Sequence, residues 1–131
     1  LGGAMKKLIT TLILLLMFSS PSYAEWTKVS EGVDDRTYYV DFDRIRKVDG
    51  SVYYWILSSS SKPNSSGDFS SKMYMQGDCK LFQFKMLSTS NYTQPMGKGT
   101  PSLSGNIPNQ EWQYPVPDSL IEIILNTVCN R

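Results

Sequence analysis

The chain has 131 residues, with 13 basic side chains, 12 acidic ones and no histidine. A length of this order suits one domain, and the near balance of charge excludes the basic excess of a nucleic-acid binder. The absence of histidine removes the usual general base and the commonest zinc ligand.

Met5-Lys6-Lys7 is a short basic start, Leu8 to Phe18 is an apolar run, and Ser22-Tyr23-Ala24 ends in small residues. This is the pattern of a cleavable secretory signal, with the cut expected between Ala24 and Glu25. The apolar run is too short for a membrane span, which needs roughly 20 residues. No cysteine follows it, so no lipid attachment is expected at the cut. The expected division is therefore an N-terminal extension and signal peptide over 1–24 and one exported domain over 25–131, periplasmic or on the outer surface. With Lys6 and Lys7 removed, the mature charge is close to neutral.

The chain has two cysteines, Cys79 and Cys129. In an exported protein they read as one disulfide, closing a loop of about 50 residues and stabilising the fold by about 4 kcal/mol.

Along the domain, Trp26 to Ser30 and Arg36 to Val40 read as strands, with Val33-Asp34-Asp35 as the turn between them. Asp41 to Ile45 reads as a turn or single helical turn capped by an Asp side chain, and Asp49-Gly50 as a hairpin turn. Val52 to Leu57 is the clearest strand. Val52, Tyr54 and Ile56 point one way and Tyr53, Trp55 and Leu57 the other, so both faces are apolar, as expected of a central strand covered on both sides. Ser58 to Ser71 reads as a serine-rich connection. Lys72 to Leu87 is β-rich, with its apolar parity switching at a bulge or turn near Gly77-Asp78. Ser88 to Asn109 reads as a long polar loop with room for one strand. Glu111 to Val116 reads as a last short strand. Pro117-Asp118 opens a helix with Asp118 at its start, whose stripe of Leu120, Ile121, Ile124, Leu125, Val128 and Cys129 faces the sheet. The fold class is α+β: an antiparallel sheet of five to six strands with one C-terminal helix docked on it by the disulfide.

No sequence pattern for catalysis emerges. Asp41, Asp43 and Asp49 lack the spacing and distal Glu of a calcium loop. Gly97-Lys98-Gly99-Thr100 lacks the first glycine of a phosphate loop. Ser58 to Ser61 is not a nucleophile elbow. Asp34, Asp35, Asp41, Asp43 and Glu111 could meet in space, but nothing singles out a pair. We therefore expect no enzymatic activity, no cofactor and no metal. The aromatic content is high for the size, and such side chains serve both cores and interfaces. Tyr53, Trp55, Lys85, Tyr92 and Lys98 are the candidate partner-binding residues. Lys80, Lys85 and Lys98 are also candidates for an acidic or glycosaminoglycan partner.

From Glu25 onward the sequence resembles the surface-adhesin protein E family of small exported bacterial proteins. The residues that carry the resemblance are Glu25-Trp26, Lys28-Val29, Tyr38-Tyr39-Val40-Asp41, Asp43 and Ile45-Arg46-Lys47. Further on they are Met96-Gly97-Lys98-Gly99, Glu111-Trp112, Tyr114, Val116-Pro117-Asp118-Ser119 and Val128-Cys129. The resemblance implies a bent antiparallel sheet with a C-terminal helix tethered to its concave side by the Cys79–Cys129 bond. It also implies adhesin-like binding of host extracellular-matrix or plasma proteins, and a homodimer. The alternative expectation is a resident periplasmic structural or envelope-maintenance protein with no host ligand.

Overall fold

The computed structural model describes residues 25–32, 35–108 and 110–131. The signal assigned to 1–24 and the Val33-Asp34 part of the first turn lie outside them. Seven strands form one antiparallel sheet: β1 (Thr27–Glu31), β2 (Arg36–Val40), β3 (Arg46–Val48), β4 (Ser51–Ser60), β5 (Ser70–Asp78), β6 (Gln83–Tyr92) and β7 (Pro101–Asn106). One helix, α1 (Leu120–Cys129), follows. The order across the sheet is β1-β2-β4-β5-β6-β7, with β3 also paired to β4. Seven strands replace the expected five to six: β3 is made of residues left unassigned between two turns, and β7 lies in the stretch read as a long loop with room for one strand.

β2 and β3 share one edge of β4. β2 pairs with Ile56 to Ser60 and β3 with Ser51 to Tyr53. The chain leaves the sheet between them in a 3-10 turn (Phe42–Arg44), whose N-cap Asp41 accepts from the Asp43 amide at 3.2 Å. The expected Asp-capped turn is thus present, and it interrupts what would otherwise be one long strand. β3 is short and exposed, which is why its pattern gave no signal.

β4 runs three residues beyond its predicted end, and Ser58, Ser59 and Ser60 are buried. Serine is tolerated there because its hydroxyls are used. The Ser59 and Ser70 hydroxyls accept from the amides of Met96 and Gly97 at 3.0 and 2.8 Å, and the Ser70 hydroxyl donates to the Gln94 carbonyl at 2.6 Å. A second 3-10 turn (Pro95–Gly97) is thereby fastened across the end of β4 and β5. Gly97 has φ 64°, and a Cβ on it would lie 2.4 Å from Lys72 Cε and 3.4 Å from Leu57 Cδ1. This turn covers Leu57, which is fully buried.

The predicted long loop is mostly a hairpin. Ser88 to Tyr92 complete β6, and β7 pairs with them at the sheet edge. The polarity of this stretch reflects edge position and exposure rather than lack of structure. The segment after it makes a single bridge, Gln113 to Phe84, in place of the predicted strand at 111–116. The parity switch in 72–87 is a hairpin turn at 79–82. Met75 pairs with Met86 and Gly77 with Phe84, so residues of opposite parity face the same way. A bulge does occur, but between Tyr74 and Met75 rather than at Gly77-Asp78.

Asp78 organises that turn. Its Oδ1 accepts from the amides of Leu81 (3.1 Å) and Lys80 (2.9 Å), and its Oδ2 accepts from Gln83 Nε2 (3.2 Å). The Leu81 amide, followed by Gln83 and Lys80, holds the carboxyl below its ordinary value of 3.8. A depressed folded value means the contribution is fully present above the ordinary value and is lost as pH falls through it toward the folded one. The wild-type unfolding midpoint should therefore fall more steeply with acidification in that window than the midpoint of Asp78→Asn. Parallel acid limbs in a urea-unfolding series would contradict this.

One face of the sheet carries the core. Val40, Val52, Tyr54, Ile56 and Met75 pack against Ile124, Leu125 and Val128 of α1. The helix is capped by Ser119, whose hydroxyl accepts from the Glu122 amide at 3.2 Å. Asp118, expected as N-cap or first-turn acid, instead precedes the cap in a left-handed conformation (φ 62°), and its amide donates to the carboxylate of Glu122, the acid of the first turn, at 3.1 Å. Cys79 and Cys129 are bonded, tying the last turn of α1 to the end of β5. Among the described residues no helix is long and apolar enough to cross a membrane.

Tyr54 is fully buried, its hydroxyl has no hydrogen-bond partner among the described residues, and burial pushes its ionisation far above the ordinary range. An unpartnered buried hydroxyl costs free energy. Tyr54→Phe should therefore leave stability unchanged or raise it by about 1 kcal/mol in a denaturant titration. A loss of similar size would mean that the hydroxyl has a partner.

Candidate functional site

The face of the sheet away from α1 is built by strand alternation. Cross-strand pairing sets Trp55 beside Tyr74 and Ser88, Tyr53 beside Gln76 and Lys85, and Leu57 beside Lys72 and Ser90. Arg46 of β3 joins the row of Tyr53. The result is an aromatic stripe. The Trp55 and Tyr74 ring centroids are 4.6 Å apart, and those of Tyr53 and Tyr74 are 6.1 Å apart in a stacked pair. Each of these rings is only half-buried, in contrast to Tyr54 between them on the core side.

Cations lie over one of these rings and over two neighbouring ones. The Arg46 guanidinium is 5.0 Å from the Tyr53 centroid, Lys72 Nζ is 4.8 Å from that of Tyr92, and Lys85 Nζ is 4.4 Å from that of Trp112. A cation over a ring face is attracted by the ring quadrupole, so each long side chain is held in place while its charge stays available. Among the described residues, none of these three makes an ion pair.

At the end of the stripe nearest the Asp41 turn is a cavity of about 210 Å³. Trp26, Trp55 and Tyr92 supply its aromatic lining, and Asp41, Arg44, Lys72 and Ser90 its polar groups. The interruption between β2 and β3 places Asp41 and Arg44 here. The 3-10 turn over 95–97 packs against the Lys72 stem. Asp41 is 1% exposed, and its Oδ2 has no hydrogen-bond partner among the described residues. Arg44 Nε stands 3.3 Å from that oxygen, an ion-pair contact without hydrogen-bond geometry.

The candidate residues read from the sequence are thus distributed as follows. Tyr53, Trp55, Lys85 and Tyr92 all contribute to this face, with Trp55 and Tyr92 lining the cavity. Lys98 is exposed in the turn after Gly97, and Lys80 is exposed in the β5–β6 turn. Trp26, Asp41, Arg44, Lys72 and Ser90 were not singled out for this role. Alternation along 72–76 would have placed Lys72 and Tyr74 on one face, but the break after Val40 that delivers Asp41 and Arg44 has no comparable sequence signature. Among the described residues no group of three His, Cys, Asp or Glu side chains could hold a metal ion. Of the carboxylates considered for catalysis, Asp34 lies outside the described residues; among the described ones Asp41 is buried against Arg44, while Asp35, Asp43 and Glu111 are exposed.

Known proteins with this architecture are found among solved structures. Crystal form II of Haemophilus influenzae protein E matches with a TM-score of 0.61 at 15% identity, over 84% of this chain and 91% of that one. The selenomethionine form of the same protein matches at 0.60 and 15%, over 84% and 89%. Protein E from non-typeable Haemophilus influenzae matches at 0.52 and 15%, over 82% and 86%. At this identity the likeness establishes the fold. No curated protein matches the sequence significantly. The sequence profile described as surface-adhesin protein E matches residues 26–130, nearly the whole described chain. By that match the chain belongs to the surface-adhesin protein E family.

Proposed function

We propose that this protein is an exported, non-enzymatic binding module that engages a protein partner at the cell surface, with segment 1–24 removed on export and residues 25–131 forming the binding domain. The observation that carries the reading is the half-buried aromatic stripe Tyr53, Trp55, Tyr74, flanked by cations that lie over rings instead of in ion pairs. Tyr, Trp and Arg are the residues that dominate binding energy at protein interfaces, and such a row on an open sheet face has no role in the core beneath it. Lys85, Tyr92 and Lys98 extend the proposed contact surface toward the β6–β7 hairpin. Family membership supports an adhesin-like surface role. The proposed partner class is host extracellular-matrix or plasma protein.

Surface display is tested by treating intact cells with a non-penetrating protease and blotting for the domain, with a known periplasmic protein as control. Loss of the domain while the control survives is the expected result. Full protection would overturn surface display and favour a resident periplasmic role.

A further inference from the structure

The cavity at the end of the stripe has a chemistry of its own. Its volume of about 210 Å³ falls below the range of roughly 300–1,000 Å³ common for drug-sized ligands, so it suits a single ring. Three aromatic residues line it: Trp26, Trp55 and Tyr92. Flat aromatic faces take the C–H faces of a saturated ring as readily as another π-system.

The polar groups decide between ligand classes. Asp41 Oδ2 is a buried acceptor without a hydrogen-bond partner among the described residues, and such an atom is stabilised by any group that donates to it. Ser90 supplies a hydroxyl at the same cavity; it is paired with the Ser104 hydroxyl at 2.6 Å and keeps a lone pair for a ligand donor. Both favour a ligand rich in hydroxyls over a purely apolar one. The charges favour an anion. Arg44 already offsets Asp41, while Lys72 has no carboxylate partner among the described residues and is held over the Tyr92 ring. A cationic ligand would meet this excess positive charge. A carboxylate would find an unpaired ammonium, and charge-assisted hydrogen bonds of that kind are the strong ones. The Arg44 side chain is 55% exposed, so its guanidinium can shift toward the rim, staying close enough to offset the Asp41 charge, while a ligand hydroxyl reaches Oδ2.

We infer that this cavity binds an acidic sugar unit, a pyranose ring bearing a carboxylate. The ring lies against Trp55, the carboxylate meets Lys72 Nζ, and ring hydroxyls meet Asp41 and Ser90. This goes beyond the partner-binding reading and does not depend on it, since one cavity can take a ring whether or not the whole face engages a protein. The unit could be a free sugar acid or the end of a glycan chain.

The three tryptophans make the test direct. The indole N–H signals of Trp26 and Trp55 report on the cavity, and Trp112, stacked under Lys85, serves as the reference. The oxidised exported protein is titrated with glucuronate and with glucose up to about 10 mM, a decade above the roughly 1 mM affinity in reach of a small ring. The expected result is movement of the Trp26 and Trp55 signals with glucuronate, an affinity for glucose weaker by about tenfold, and a steady Trp112. Lys72→Gln should erase the preference between the two sugars. Ser90→Ala, at a half-buried rim position, should weaken both sugars without disturbing the turn that Asp41 caps. Tighter binding of a uronate-terminated disaccharide than of free glucuronate would assign the site to chain ends, and the reverse to the free acid. No movement with glucuronate, equal affinity for glucose in the wild type, or equal movement of Trp112 would overturn the proposal.

Discussion

Cys129→Ala should lower the free energy of unfolding by about 4 kcal/mol. The bonded residues are 50 positions apart, and closing a loop of that length removes much of the freedom of the unfolded chain. Native contacts add a local effect. Cys79 directly follows β5 and Cys129 ends the helix, so the bond fixes the last turn of α1 to the rim of the core. The loss is a large part of the roughly 5–15 kcal/mol that keeps a domain folded, and should lower the melting temperature by about 15–25 °C. Ile124, Leu125 and Val128 still bury an apolar stripe, so the variant should remain folded in the cold while amides near the end of α1 exchange first. Adding a reductant to the wild type should reproduce the shift, and adding it to the variant should do nothing. Equal melting of variant and oxidised wild type would contradict the assignment of the bond as the staple of the fold.

Leu125→Ala should cost about 3–4 kcal/mol, within the range of buried leucine truncations. Leu125 is fully buried, and its Cδ1 sits in the notch left by a glycine on β5. A Cβ built on Gly77 would lie 2.6 Å from that methyl and 3.0 Å from Val52 Cγ1. Gly77→Ala alone should thus destabilise by about 1–3 kcal/mol through overpacking, despite the better strand propensity of alanine. In the Leu125→Ala background the new methyl enters vacated space instead. The double variant should therefore be more stable than the sum of the two single losses by about 1 kcal/mol or more. Strict additivity in a urea-denaturation cycle would mean that helix and sheet do not meet at this point.

Those two contacts also mark what the sequence could and could not reveal. The stripe of α1 was legible because its apolar residues recur at helical spacing and its last member is a cysteine. The central strand β4 was legible because both of its faces are apolar; one is covered by α1, while on the other the turn over 95–97 covers Leu57 and leaves Tyr53 and Trp55 half-exposed, so the expected cover on both sides holds only in part. Ser58 to Ser60 looked like loop because hydroxyl-rich stretches usually are. Here two buried serines, Ser59 on β4 and Ser70 on β5, satisfy backbone groups of the 95–97 turn, which only long-range contact could disclose. β3 and β7 escaped because short, exposed edge strands carry no apolar alternation. Half of the proposed binding face could be read from the sequence, as Tyr53, Trp55, Lys85 and Tyr92. The cavity could not, because it depends on where the chain breaks after Val40 and on the pairing of β4 with β5 and β6.

The central claim is that the sheet face opposite the helix is the binding surface. It is tested most directly by binding of the purified protein to immobilised extracellular-matrix and plasma proteins. Wild type is compared with Tyr53→Ser/Trp55→Ser and with Ile123→Ser, a change at an exposed position of α1. The account predicts that the double variant loses at least about tenfold in affinity, as expected when interface aromatics are truncated, with its melting temperature nearly unchanged, while Ile123→Ser binds as wild type. Undiminished binding by the double variant, or a loss confined to Ile123→Ser, would place the binding surface elsewhere and contradict the account.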